Sequence, residues 1–203
     1  AQGGVGGQDF LHPDVKMKFT APNGFGMQNG TDAISINGNS GKAIFTQASF
    51  TGDRSAYVAA ALKAVSGQNQ TIPVGEIRQT TVNGIPAFYS STVVNTQQGQ
   101  REVTVFAYEW GGNVGYHFIA ITAPAANPFV SMYNSMSRLN ATQAASVKPR
   151  KLRVVTVGRT DSVASLARRM AYATLQTERF LALNGLSASS TVAAGQKVKI
   201  VTY

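Results

Sequence analysis

Two histidines are the side chains most suited to metal or hydrolytic chemistry in this chain of 203 residues. A zinc peptidase needs two histidines one helical turn apart, with a glutamate beside the first to activate the metal-bound water. His12 precedes Pro13, and His117 stands between two aromatic residues without a second histidine or a carboxylate at ligand spacing. We therefore interpret His117 as a hydrogen-bonded strand histidine, and we predict that this chain holds no metal and no cofactor.

The composition does not indicate a cysteine, serine or carboxylate catalytic site either. The chain has no cysteine, which excludes thiolate catalysis, disulfides and cysteine zinc sites. Two scattered histidines do not make a Ser-His-Asp triad, and nine dispersed acidic residues do not indicate the carboxylate pair of a glycosidase. We predict that the chain contains no catalytic residue.

The centre of the chain is a run of three long strands rich in β-branched and aromatic residues. They are predicted over residues 86–95, 101–109 and 114–122. The connections are too short to join anything but antiparallel neighbours, so the strands form a meander. Val103 and Val105 point to one face while Phe106 and Tyr108 point to the other, so both faces need cover.

Shorter elements flank this meander on both sides. Further strands are predicted at residues 15–20, 25–28, 33–36, 42–50 and 76–82. Asp53 is expected to cap a helix that runs to about Val65. A second helix is expected to begin with Asn127 as its cap and Pro128 at its first position, and to pack an apolar stripe on the sheet as far as Leu139.

Charge and periodicity both change near residue 150. The net charge is +9: residues 1–150 have ten Lys/Arg against seven Asp/Glu, and residues 151–203 have eight against two. The predicted organisation is a Gly-rich linker (1–8), an α+β domain (9–140), a linker without periodicity (141–152) and a small domain (153–203). The small domain has the order β-α-α-β, with strands at 153–157 and 196–202 and helices at 162–172 and 176–183.

The small domain resembles LysM domains, which bind glycans containing N-acetylglucosamine, such as peptidoglycan. The resemblance is carried by a turn, a post-helix loop and a pre-strand loop: Thr160-Asp161-Ser162, Asn184-Gly185-Leu186 and Ala194-Gly195-Gln196. It implies a glycan or partner groove formed by Thr160, Asp161, Ser162, Asn184, Gly185 and Leu186. The alternative is that Asp161 or Ser162 only caps a helix and that Asn184 and Gly185 only end one.

The larger domain resembles the PsbP/Mog-like α+β fold, an antiparallel sheet with packed helices. The features that carry this resemblance are residues 19–25, residues 83–87, and the long final hairpin with the helix after it.

Both domains together resemble the region that follows the catalytic domain in HtpX-like zinc metalloproteases (peptidase family M-48) of Gram-negative bacteria. Residues 8–13, 153–157, 167–170 and 178–181 carry this resemblance, and the Gly-rich start at Ala1 indicates a chain processed or cut from a longer one. The resemblance implies an accessory region in the periplasm or another exported location, with the zinc and the His-Glu-x-x-His motif upstream. The alternative is a free-standing exported binding or structural protein with a peptidoglycan-binding module.

The basic residues of the small domain indicate a docking surface. Arg168, Arg169 and Arg179 are expected to form it, and the expected partners are the upstream protease domain, its protein substrates or peptidoglycan. Nucleic acid is disfavoured because the aromatic residues that would stack on bases are too few. No apolar run approaches the roughly 18 residues of a membrane-spanning helix.

Overall fold

A computed structural model describes residues 4–6, 9–67, 70–147, 150–172 and 174–203. The chain divides into two compact units, Ala1–Val147 (unit 1) and Lys148–Tyr203 (unit 2). Within the described residues, no helix combines the length and the apolar character that crossing a membrane would require.

The main sheet of unit 1 has seven antiparallel strands, and the predicted meander forms part of it. In spatial order the strands are β4 (Gly26–Asn29), β5 (Ile34–Gly38), β6 (Gly41–Ser49), β10 (Val114–Thr122), β9 (Gly99–Gly111), β8 (Ile85–Thr96) and β7 (Arg78–Val82). Asn83 and Gly84 join β7 to β8 with φ angles of 47° and 80°. Such positive angles are what a two-residue hairpin turn requires, which explains the Asn-Gly pair.

A smaller sheet contains the first described residues. Its strands, in spatial order, are β1 (Gly4–Gly6), β2 (Asp9–His12), β3 (Met17–Thr20) and β11 (Ser137–Arg138). Part of the predicted Gly-rich linker is thus a strand, since pairing with β2 satisfies its backbone hydrogen-bonding groups. Residues 1–3 and 7–8 of that linker lie outside the described residues.

Three helices belong to unit 1 in its described part: α1 (Arg54–Ser66), α2 (Val130–Ser135) and α3 (Ala141–Ser146). The Asp53 carboxylate accepts a hydrogen bond from the Ala56 backbone N–H at 3.0 Å, which confirms the predicted cap of α1.

The second helix is shorter than the sequence predicts. Phe129, not Asn127, is its N-cap, and α2 ends before Met136, whose backbone is extended. The next two residues form β11, which pairs with β3. This pairing satisfies the backbone N–H and C=O groups that would form intrahelical hydrogen bonds if the helix continued. The predicted apolar stripe is nevertheless buried along its whole length: Phe129, Met132, Tyr133, Met136 and Leu139.

The two faces of the main sheet have separate cores, as the sequence predicts. On one face, Tyr57 and Leu62 of α1 pack on Val103 and Val105. The other face is covered by α2 and the smaller sheet, and its core contains these fully buried side chains: Met17, Phe19, Tyr108, Phe118, Phe129, Met132 and Met136.

The segment predicted as the inter-domain linker contains α3. The Asn140 side chain accepts from the Gln143 backbone N–H at 2.7 Å, and the Gln143 side chain accepts from the Asn140 backbone N–H at 3.0 Å. This reciprocal capping holds a helix that buries no residue, so no hydrophobic period marks it in the sequence. Residues 148–149 of the predicted linker lie outside the described residues.

Unit 2 has the order β12 (Lys151–Thr156), α4 (Val163–Ala167), α5 (Gln176–Leu183) and β13 (Lys197–Thr202), and its two strands pair antiparallel. Leu166, Phe180 and Ile200 are at the centre of its core. Helix α4 ends five residues before the predicted position. The backbone after it turns to β13 instead, where the Ala171 N–H donates to the Val201 carbonyl at 2.7 Å.

Candidate functional site

His117 has the structural role that its position in the strand predicts. The residue is 3% exposed, and its Nδ1 lies 2.7 Å from the Tyr57 hydroxyl, which comes from α1 on the same face of the sheet. Burial lowers the pKa of His117 from 6.5 to about 4, and burial, followed by Tyr116, raises the pKa of Tyr57. Both groups are therefore neutral near pH 7.

The other histidine lies in a separate place. Nδ1 of His12 accepts a hydrogen bond from the Val15 backbone N–H at 3.3 Å, at the turn between β2 and β3. Among the described residues, no three His, Asp or Glu side chains lie close enough together to hold a metal ion.

The first predicted groove segment forms the turn that starts α4. Oδ2 of Asp161 accepts from the Gly158 backbone N–H at 2.8 Å. The Ser162 hydroxyl accepts from the Ser165 backbone N–H, and the Ser165 hydroxyl accepts from the Ser162 backbone N–H. Thr160 is exposed in the same turn. Asp161 and Ser162 therefore have the helix-starting role that the alternative interpretation gives them.

The second predicted groove segment ends α5. The Asn184 amide donates to the Phe180 and Lys199 carbonyls, each at 2.9 Å, and accepts from the Lys199 backbone N–H at 2.7 Å. Gly185 has a φ of 63°, and the Leu186 N–H donates to the Leu181 carbonyl at 2.8 Å. Asn184 thus fastens the end of α5 to β13. Within the described residues, no hydrogen bond joins this segment to the turn at Thr160.

Replacing Asn184 tests this structural role. Asn184→Ala removes three hydrogen bonds and is expected to lower the free energy of unfolding of unit 2 by about 2–3 kcal/mol. Asn184→Asp retains the acceptor for the Lys199 N–H but places a carboxylate oxygen against the Phe180 and Lys199 carbonyl oxygens, so it should not recover the lost stability. Hydrogen exchange of the β13 amides measures both variants. Unchanged protection in Asn184→Ala would show that the amide does not hold the unit together.

The three predicted docking residues are exposed, and one of them takes part in a contact that the sequence did not indicate. Arg168 and Arg169 follow α4. The guanidinium carbons of Arg179 and Arg150 lie 4.3 and 4.5 Å from the centre of the Tyr172 ring. No local pattern indicates the contact of Arg150, because this residue is 22 positions away from Tyr172 in the sequence.

Comparison with known proteins gives similarity only at the level of structure. No family model and no curated protein matches the chain. A crystal structure from Bacteroides thetaiotaomicron is 9% identical, with a TM-score of 0.48 over 73% of this chain and 53% of that one. This chain therefore spans about half the length of that structure.

The solution structure of the cyanobacterial PsbP (CyanoP) from Synechocystis is 11% identical, with a TM-score of 0.50. The match covers 68% of this chain and 97% of that one. Unit 2 has 56 of the 203 residues, about 28%, so a match of this extent must include much of unit 1. At this identity the likeness concerns the fold alone. The chain contains a PsbP-like fold, as its sequence predicts.

Proposed function

We propose that the chain is the non-catalytic accessory region of a periplasmic or otherwise exported zinc metalloprotease, and that unit 2 docks on an acidic face of the protease domain. The protein substrates of that domain are the second class of partner. Zinc belongs to the protease domain, and this chain contributes recognition and no chemistry.

The observation that carries this proposal is the unneutralised charge of unit 2. Its described part contains nine Lys and Arg, all of them exposed, and none of the nine forms an ion pair with another described residue: Arg150, Lys151, Arg153, Arg159, Arg168, Arg169, Arg179, Lys197 and Lys199. Unit 2 has only two acidic residues, Asp161 and Glu178. Exposed charge of one sign favours an oppositely charged partner and speeds the encounter with it.

Unit 1 differs in that its basic and acidic residues are nearly equal in number, eight against seven in its described part, and three of the eight basic residues form ion pairs. Arg54 lies 2.7 Å from the Glu109 carboxylate, and Arg78 lies 3.3 Å from that of Glu76. Positive charge that is paired within the fold is less available to a partner. The contrast supports a docking role for unit 2 in particular.

The proposal of a parent protease is based on the sequence resemblance. The alternative remains a free-standing exported protein with a peptidoglycan-binding LysM-like module. The two differ in one simple observation. An accessory region requires a His-Glu-x-x-His motif upstream in the same reading frame, and a free-standing protein does not. The capped turn at Asp161 and the internally bonded Asn184 amide favour docking over a glycan groove, since their polar atoms already have partners.

Charge reversal tests the docking. The double variant Arg168→Glu/Arg169→Glu should weaken binding to the separately expressed protease domain by at least about tenfold, because it replaces attraction by repulsion. Folding should be nearly unchanged, since exposed charges contribute under about 1 kcal/mol each. Isothermal titration calorimetry at low and high salt measures the affinity. The affinity of the wild type should decrease as the salt concentration increases.

The matched control is Lys197→Glu/Lys199→Glu on β13. It changes the net charge by the same amount as the arginine variant and should weaken binding less than that variant does. Equal weakening by both variants would overturn the assignment to Arg168 and Arg169. Absence of the upstream motif would overturn the protease assignment, and wild-type affinity in the first variant at both salt levels would overturn docking.

A further inference from the structure

Unit 1 has a cleft of about 310 Å³ between the outer strands of the main sheet and α2. Its origin is a mismatch of lengths. Helix α2 has six residues and spans about 9 Å, whereas β8 and β9 have twelve and thirteen residues and span about 40 Å. The helix therefore leaves part of the sheet face uncovered. The volume lies at the small end of the range for small-molecule sites, about 300–1,000 Å³.

One wall of the cleft is a column of three aromatic rings. Tyr89 and Phe106 are cross-strand partners on β8 and β9, and their rings stack at 5.4 Å with an interplanar angle of 3°. Tyr133 of α2 stacks on Phe106 at 4.6 Å and 11°. The Tyr108 hydroxyl donates to the Tyr133 carbonyl at 2.6 Å and so fixes α2 in this position. The wall is preformed, and the half-buried Tyr89 is its most accessible ring, since Phe106 and Tyr133 are only 7% and 8% exposed.

The remaining lining is mixed: Ala126, Pro128, Phe129 and Val130 are apolar, and the other residues are polar. The hydroxyl oxygens of Ser91 and Thr104, also cross-strand partners, lie 2.8 Å apart. Thr80 of β7 adds a third hydroxyl, and Asn127 and Asn134 add amides from the segment that contains α2. Each of these groups can both donate and accept hydrogen bonds. The cleft therefore combines an aromatic wall with several two-way hydrogen-bonding groups.

The cleft is also electrically neutral. Among the described residues that line it, none is charged. Two charged groups that act on the wall have partners outside the cleft: the Glu102 carboxylate accepts from the Ala125 backbone N–H at 3.2 Å, and Arg78, beside Tyr89, bonds to Glu76. Burial, followed by Glu102, raises the pKa of Tyr133, so this wall stays neutral as well. A phosphate, a carboxylate or a metal cation would find no counter-charge in the lining.

We propose that this cleft binds a neutral saccharide unit. A sugar ring has an apolar C–H face and a rim of hydroxyl groups, which match the aromatic wall and the Ser, Thr and Asn groups respectively. A planar base is a poorer match, because the rings at 5.4 and 4.6 Å leave no slot between them. The proposal does not depend on docking by unit 2.

Titration of the full chain with glucose, galactose and N-acetylglucosamine tests the proposal, with backbone amide signals as the readout. At least one sugar should shift the amides of Thr104, Asn127 and Asn134. Tyr89→Ala, which removes the half-buried end of the aromatic column, should raise the Kd for that sugar by at least about tenfold. Near-UV circular dichroism confirms that the variant is folded.

Tyr116→Ala is the matched control, because Tyr116 is a half-buried tyrosine on β10 that does not line the cleft. Its Kd should stay within about twofold of the wild type, the change that small surface effects produce. Adenosine and inorganic phosphate are the comparison probes. The proposal is overturned if no sugar binds, if only adenosine or phosphate binds, or if Tyr89→Ala leaves sugar binding unchanged. None of these outcomes involves the protein partner of unit 2.

Discussion

Replacing Phe118 with alanine is expected to lower the free energy of unfolding of unit 1 by about 3–5 kcal/mol. Phe118 is fully buried at the middle of β10, and its ring centre lies 4.9 Å from that of Phe19 and 4.7 Å from that of Phe45. Tyr108 and Tyr133 contact it from β9 and α2. These rings are held by four different elements, so they cannot collapse into the space that the substitution leaves.

Urea unfolding followed by tryptophan fluorescence measures this loss. Trp110 is the only tryptophan of the chain and lies in β9, so its signal reports on unit 1. The control is Val93→Ala, because Val93 is 50% exposed on β8 and its truncation should cost no more than about 0.5 kcal/mol. A loss below about 1 kcal/mol in Phe118→Ala would mean that the core repacks more freely than the ring contacts imply.

The meander and its two-sided core could be predicted because the information is local. Alternating side chains decide which face each residue takes, and short turns decide which strands pair. Val105 and Phe106 are adjacent in sequence and enter opposite cores for this reason alone. The Asp53 cap was also predictable, since the side chain and the N–H that it binds are three residues apart.

The end of α2 and the cleft beside it could not be predicted in this way. The apolar stripe as far as Leu139 is compatible with two structures. One is a single long helix, and the other is the observed short helix followed by an extended residue and a short strand. Pairing of β11 with β3 decides between them, and β3 is more than 100 residues earlier in the chain. The cleft depends on the same choice, because a helix of the predicted length would cover more of the sheet.

The candidate site shows the same limit. The sequence identifies Asn184 and the arginines as residue types that could contact a ligand. It does not reveal that the Asn184 amide bonds to the backbone of Lys199, or that Arg150 and Arg179 share the ring of Tyr172. These contacts arise only when the ends of unit 2 come together. His117 was interpreted correctly from its strand neighbours, although its partner, Tyr57, is 60 residues away.

That pair leads to a prediction about acid. Between pH 7 and pH 4, protonation linked to His117 is expected to remove about 3 kcal/mol of stability from unit 1. The folded pKa is about 4 and the unfolded pKa is 6.5, so the unfolded chain binds the proton more tightly over this range. The contribution is complete well above pH 6.5, falls as the pH decreases, and changes no further well below pH 4. The two pKa values differ by about 2.5, which at 1.36 kcal/mol per unit corresponds to about 3–4 kcal/mol over the whole titration, and most of this is lost by pH 4.

The pKa of His117 is low because Tyr57 packs closely over the imidazole. The Tyr57 ring lies across Gly115, where an added Cβ would be only 2.6 Å from it. Because Gly115 has no side chain, α1 can approach the sheet closely. The Tyr57 ring then excludes water from the His117 imidazole, and the Tyr57 hydroxyl lies at hydrogen-bonding distance from Nδ1. Protonation would create a charge in that apolar layer, where the described neighbours Tyr57 and Tyr116 carry no negative charge to offset it.

Urea unfolding of the wild type and His117→Gln at pH 7 and pH 4 separates this effect from general acid denaturation. Acidic residues lose their charge equally in both proteins, so the difference between the two pH-dependent losses belongs to His117. The loss should be about 3 kcal/mol smaller in His117→Gln than in the wild type. Val93→Ala, which changes an exposed side chain on β8, is the control for substitution in general and should retain the wild-type loss. Equal losses in the wild type and His117→Gln would show that the buried imidazole is not the group that acid protonates on unfolding.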